Sequence, residues 1–158
     1  VNPYALEPAI APHLAARQAG IGIDLIQIKN SFDELAYPAD RVVVEGVGGF
    51  KVPLSDAEDS ADLAKLLGLP VILVVGMRLG CLNHALLTAQ AIALTGLALG
   101  GWVANCIDAV MVATDENIAT LKSRLRAPFL GVIPWQALPD AAEAALLLDL
   151  AVLDAEST

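Results

Sequence analysis

The sequence predicts an α/β fold, a mostly parallel sheet with helices on both faces. Two observations predict it. Short apolar runs recur, each bounded by turn or charge signals. They are continuous rather than alternating, as in strands buried on both faces. Segments of helical period lie between them, and strands alternating with such helices form βαβ units with right-handed connections. The chain has 158 residues, 56% of them hydrophobic and 17% charged. That suits a single domain and excludes intrinsic disorder.

The elements follow in order. Residues 8–19 form a weak helical candidate interrupted by Pro12, and residues 24–36 a stronger one. Val42-Val43-Val44 reads as the first strand. Residues 55–67 read as a helix whose capping box is Ser55-Asp56-Ala57-Glu58, with Leu63, Leu66 and Leu67 on one face. Gly68 and Pro70 stop it. Val71-Ile72-Leu73-Val74-Val75 is the second strand and residues 82–95 the next helix, ended by Gly96. Gly101-Trp102-Val103-Ala104 is the third strand. Residues 115–126 carry acids at the start (Asp115, Glu116) and bases at the end (Lys122, Arg124, Arg126), matching a helix dipole. Phe129-Leu130-Gly131-Val132-Ile133 is the fourth strand, and residues 141–153 a last, very apolar helix.

Residues 85–104 hold no charge and are long enough to span a bilayer. Thr88, Gln90, Thr95 and three glycines break that reading, and the period changes midway. A buried helix, a turn at Gly96 and a buried strand account for the segment better. Nine Lys and Arg against eighteen Asp and Glu give a net charge of −9. This argues against nucleic acid or an anionic membrane as the main partner. With two Cys (Cys81, Cys106) and two His (His13, His84), a disulfide scaffold and a Cys/His zinc site are excluded. Two reduced, buried Cys fit a cytoplasmic protein. The chain opens on Val1, without Met or a signal-peptide pattern, and reads as an incomplete chain.

Ligands of open α/β sheets bind beyond the carboxyl ends of the strands, so the residues after each apolar run are the candidates. Glu45-Gly46-Val47-Gly48-Gly49-Phe50 follows the three valines. A carboxylate there commonly holds Mg²⁺ on a nucleotide, while glycines let backbone approach a ligand. A loop acid between turn glycines is the plainer reading. Gly76 to His84 form a glycine-bounded loop running into a helix start, where free N–H groups make an anion site. A plain capped helix explains the same residues. Asn105 carries the carbonyl and amide that match the edge of adenine, or it caps a turn. Trp135, within Pro134-Trp135-Gln136, stacks on a base or belongs to core or interface. His13 and His84 have no nucleophile nearby. No G-x-x-x-x-G-K-[ST] phosphate loop occurs.

Taken together, several segments resemble dethiobiotin synthetase, the ATP-dependent penultimate enzyme of biotin synthesis. They are Val1-Asn2-Pro3-Tyr4 with Glu7-Pro8 and Ala11-Pro12-His13, then Val43-Val44-Glu45-Gly46-Val47-Gly48-Gly49 and Pro53-Leu54-Ser55-Asp56. The most specific is LPVILVVGMRLGCLNHALLTAQ over residues 69–90, followed by Gly101-Trp102-Val103-Ala104-Asn105 and Leu130-Gly131-Val132-Ile133-Pro134-Trp135. They cover most of the chain in the family's order.

The resemblance implies a three-layer sandwich like that of P-loop NTPases, lacking its first strand and phosphate loop. Residues 1–158 would then be one incomplete domain, about the C-terminal two thirds of the family's, without its catalytic Lys. It implies ATP and Mg²⁺, with Glu45 as metal carboxylate and Gly46, Val47 and Gly48 beside the phosphates. It further implies adenine contacts from Asn105 and Cys106, an adenine wall from Pro134, Trp135 and Gln136, and a nucleotide contact from Asp140, in a loop one residue shorter than usual. Gly80, Cys81, Leu82 and Asn83 resemble the helix start that holds the substrate carboxylate for the neighbouring subunit, so a homodimer is implied. Phe50 stands where Trp is common, and Asn117 near a Tyr that contacts substrate. The implied reaction converts 7,8-diaminopelargonate, CO₂ and ATP to dethiobiotin. Two rivals are a catalytically inactive binding or regulatory domain of the superfamily and a partitioning-type or amidotransferase-type ATPase. The Gly80-Cys81-Leu82-Asn83-His84 run argues against the second.

Overall fold

The computed structural model describes residues 1–154. The chain divides into two compact units, Val1–Leu69 and Pro70 onward.

In the first unit, α1 (Pro12–Gln18) has Pro12 at its first turn. There proline starts a helix rather than interrupting it, because its missing N–H would have no partner at that position anyway. Helix α2 (Leu25–Ala36) is capped by Asp24, whose carboxylate accepts from the Ile26 N–H at 2.8 Å. Tyr4 ties the N-terminal segment to this cap: its hydroxyl accepts from the Asp24 N–H and donates to Gln27 Oε1.

Helix α3 (Ser60–Leu67) begins five residues later than the sequence predicts. Its capping box is Asp59 with Asp62, not Ser55 with Glu58. The Asp59 carboxylate accepts from the N–H groups of Ala61 and Asp62, and Asp62 reaches back to the Asp59 N–H. The Ser55 hydroxyl instead accepts from Ala57 and Glu58 N–H, closing a turn that lets Pro53 and Asp59 pair antiparallel. Gly68, in the left-handed conformation, ends α3 as expected.

Val42, Val43 and Val44 form no strand, a second departure. A strand exists only through ladder bonds to a neighbour. Among the described residues this segment has none, and Val43 is 93% exposed.

The second unit carries the sheet. Strands β1 (Val71–Met77), β2 (Leu99–Cys106) and β3 (Phe129–Ile133) lie in that order, all parallel. Helix α4 (Cys81–Leu94) makes the β1–β2 crossover and α5 (Thr114–Arg124) the β2–β3 crossover. Alternation decides the faces. Val75, Met77, Trp102 and Ala104 point to the side where Cys81 and Ala85 of α4 and Ile118 and Leu121 of α5 close the core. Trp102 is fully buried, its ring 4.6 Å from that of Phe129. On the opposite side of β1, Ile72 and Val74 are 45% and 58% exposed. So β1 is not covered on both faces as its composition predicts.

The apolar tail is not one helix. It forms α6 (Ala141–Leu146) and α7 (Ala151–Asp154), with a break between them. In the break, Leu148 pairs antiparallel with Gly131, and the Asp149 N–H donates to the Leu130 carbonyl at 2.8 Å. The open edge of β3 offers backbone partners that continued helix would forgo. Gly131 permits this approach. Its φ is +149°, and a side chain there would overlap the Leu147 carbonyl oxygen.

Candidate functional site

The carboxyl edge of the sheet gathers three of the predicted segments. In register, Met77 pairs with Cys106, while Asn105 lies between Gly76 and Ile133. The segments that leave this edge are Arg78-Leu79-Gly80 into α4, Asn105-Cys106 at the end of β2, and Pro134-Trp135-Gln136 after β3. Sheet topology thus brings the expected adenine contacts to one edge. Asn105 is half-buried and Trp135 half-exposed, with its ring open to solvent.

Cys106 is a free thiol whose pKa is raised, first by burial and then by the negative charge of Asp115. It is therefore a neutral thiol at physiological pH, a packing group rather than a nucleophile.

The start of α4 leaves backbone donors free. Gly80 precedes the helix with φ +94°, a conformation other residues rarely adopt. It has no side chain to cap the helix, so no side chain competes for the first N–H groups. The Cys81 N–H turns back to the Arg78 carbonyl at 3.0 Å. For Leu82 and Asn83, no main-chain acceptor exists among the described residues. Asn83 is exposed, while Cys81 is buried and anchors the turn in the core. Two free N–H groups at the positive end of a 14-residue helix suit a carboxylate.

Two predicted residues are committed to their own helices. Asp140 caps α6: its Oδ1 accepts from the N–H groups of Ala142 and Glu143 at 2.8 and 3.0 Å, leaving Oδ2 for another contact. Gln136 braces the same turn, accepting from the Asp140 N–H and donating to Glu143. The Asp140-x-x-Glu143 spacing is a capping signal that the sequence reading passed over. Asn117 donates from its side-chain amide to the Ala113 carbonyl at 2.7 Å, stabilising the left-handed residue before α5.

The Glu45 loop belongs to the first unit. Glu45, Gly46, Val47 and Gly48 are exposed, and Gly48 has φ +75°. Beyond them the loop is pinned to α3. The Ser60 hydroxyl donates toward the carbonyls of Gly49 and Phe50 and accepts from the Val52 N–H. Lys51 pairs with Asp59. That hydrogen bond raises the Lys51 pKa and lowers that of Asp59, which the Ala61 and Asp62 N–H groups lower further. Mg²⁺ is usually held by one or two carboxylates together with substrate phosphates and water. Glu45 offers one accessible carboxylate. No group of three or more His, Cys, Asp or Glu forms a metal cage among the described residues. This donor set fits an ion shared with phosphate, not one held by protein alone.

A family described as an AAA domain matches residues 1–143. A protein of Aromatoleum aromaticum named ATP-dependent dethiobiotin synthetase BioD is 56% identical over 150 residues, covering 95% of this chain and 67% of its own length. Proteins of the same name from Janthinobacterium sp. (strain Marseille) and Ralstonia nicotianae are 57% and 56% identical, covering 96% of this chain and 64% and 66% of their own lengths. The chain belongs to the dethiobiotin synthetase family. It spans about two thirds of the length of these relatives. The parallel α/β sheet of the second unit agrees with the fold expected for the family. No helix among the described residues is long and apolar enough to cross a membrane.

Proposed function

We propose that the protein containing this chain closes the ureido ring of dethiobiotin from 7,8-diaminopelargonate, CO₂ and ATP. The observation that carries the proposal is the match to dethiobiotin synthetases at 55–57% identity over some 95% of the chain. The free N–H groups at the start of α4 and the position of Asn105 at the sheet's carboxyl edge support it.

In this reading one amine of the substrate takes up CO₂ as a carbamate and loses a proton. A carbamate oxygen attacks the terminal phosphorus of ATP, and ADP leaves. The second amine then attacks the carbonyl carbon of the mixed anhydride, the ring closes, phosphate departs, and the attacking nitrogen releases a proton. Such phosphoryl transfer depends chiefly on positioning and charge neutralisation. Asn105 presents its carbonyl and amide to the adenine edge, with Cys106 packed beside it. Pro134, Trp135 and Gln136 wall the base, and the free oxygen of Asp140 lies in the same loop. The Leu82 and Asn83 N–H groups receive the substrate carboxylate, with Gly80 and Cys81 shaping the turn and Asn117 nearby on α5. In the homodimer proposed here, this helix start serves the neighbouring subunit's site. Glu45 would hold Mg²⁺ with Gly46, Val47 and Gly48 beside the phosphates; the ion would offset charge on them. No catalytic side chain is assigned within these residues. Residues 1–158 belong to one domain in this reading. The two free cysteines support a cytoplasmic location.

The test is formation of dethiobiotin and ADP in equal amounts by the full-length protein, given 7,8-diaminopelargonate, bicarbonate and Mg·ATP. Nucleotide binding without product would favour an inactive binding domain. ATP hydrolysis indifferent to diaminopelargonate would favour another ATPase of this fold.

A further inference from the structure

A cavity of the second unit lies away from the edge just described. It opens beside Leu99, the first residue of β2, at the amino end of the sheet. Its volume is about 330 Å³, within the range of small-molecule sites. Leu86 of α4, Leu97 and Leu99 around the start of β2, and Leu125 after α5 make most of its wall apolar.

Gln90, Arg124 and Arg126 supply the polar part. In a chain with twice as many acids as bases, two arginines on one small cavity are a local excess of positive charge. Neither has a carboxylate within ion-pair distance among the described residues. Arg124 closes the last turn of α5, where a cation offsets the helix dipole. Arg126 lies beyond the helix end and has no such role. Arg126 is exposed at the cavity and has no ion-pair partner among the described residues; a guanidinium can receive a carboxylate two-pronged.

We propose that this cavity binds a small monocarboxylate with an apolar tail, the carboxylate on Arg126 and the tail on Leu86, Leu97 and Leu125. The apolar wall suits the tail, and a guanidinium without an ion-pair partner among the described residues suits the anion. The net charge of −9 disfavours a polyanion such as nucleic acid.

The probe is octanoate, titrated into full-length protein labelled at Leu methyl groups and followed by NMR. Octanoate should shift the Leu86, Leu97 and Leu125 methyls in a saturable way. Octanamide, which lacks the charge, should bind at least tenfold more weakly. Arg126→Gln should weaken octanoate at least tenfold while leaving dethiobiotin formation unchanged, which also reports an intact fold. Asn83→Ala, at the opposite edge of the sheet, should leave these shifts unchanged. No saturable shift at millimolar octanoate would overturn the proposal. So would equal binding of octanamide, indifference to Arg126→Gln, or shifts confined to residues around Asn83. The same measurement with an acidic peptide in place of octanoate overturns it if the peptide alone binds.

Discussion

Gly131→Ala is the sharpest test of how the tail is held against the sheet. Glycine at this position has φ +149°, and an added Cβ would overlap the Leu147 carbonyl oxygen and come 3.1 Å from Leu148 Cδ2. The obstruction is backbone, so no side-chain rotation relieves it. Holding alanine in this sparsely populated conformation costs about 1–3 kcal/mol. If the chain moves instead, the Leu148–Gly131 pairing and the bond from the Asp149 N–H to the Leu130 carbonyl loosen, each worth about 0.5–1.5 kcal/mol. Either way the loss should be about 1–3 kcal/mol, roughly 0.5–1.5 M in urea midpoint at an ordinary denaturant slope. The assay is equilibrium urea unfolding followed by far-ultraviolet circular dichroism. Gly22→Ala is the control, since a Cβ there meets nothing within 4 Å and the backbone is unstrained; it should stay within about 0.5 kcal/mol of the parent. If Gly131→Ala is no worse than Gly22→Ala, the close approach of the tail to β3 is refuted.

Three further outcomes follow from the site. Glu45→Ala in the full-length protein should lower Mg·ATP turnover through loss of an oxygen ligand, and identical turnover across a magnesium titration would reject the metal role. Asn83→Ala should raise the KM for diaminopelargonate more than that for ATP, because the exposed side-chain amide of Asn83 adds a donor beside the main-chain N–H groups assigned to the carboxylate; equal rises in steady-state kinetics would reject that side-chain role. Asp59→Asn should alter the pH profile of stability at both ends. The depressed Asp59 pKa stabilises the fold above the usual carboxylate range and is lost as pH falls below about 4. The raised Lys51 pKa stabilises below its ordinary value and is lost as pH rises past about 10.5. The gap between parent and variant should therefore be widest between these limits in chemical denaturation, and a gap independent of pH would contradict the pairing.

The sequence made legible what local chemistry decides. The three strands emerge within a few residues of their predicted bounds, because continuous runs such as Val71 to Val75 and Phe129 to Ile133 have few alternatives. The α5 charges and the Gly68 and Gly96 stops also lie where expected. What failed depended on partners. Val42 to Val44 have strand composition, but a strand is a property of a pair. Ser55-x-x-Glu58 and Asp59-x-x-Asp62 are both plausible caps four residues apart; only tertiary pairing of Pro53 with Asp59 shows that the first closes a turn and the second starts α3. The tail from residue 141 onward reads as one helix by local propensity, yet the open edge of β3 competes for its backbone. For the candidate site, the carboxyl-edge rule pointed to segments that the topology does bring to one edge of the sheet. It did not reveal that Asp140 and Asn117 already spend hydrogen bonds on α6 and α5.

The central claim is that the carboxyl edge of the sheet reads the nucleotide through Asn105. Calorimetric binding of a non-hydrolysable Mg·ATP analogue to the full-length protein and its Asn105→Ala variant tests this most directly. Loss of a paired donor and acceptor on adenine, at about 0.5–1.5 kcal/mol for each hydrogen bond, predicts affinity weakened about tenfold. The fold should be unchanged, because no other described group accepts or donates through this side chain. Equal affinity in the two proteins would contradict the account, and adenine recognition would then have to be sought elsewhere.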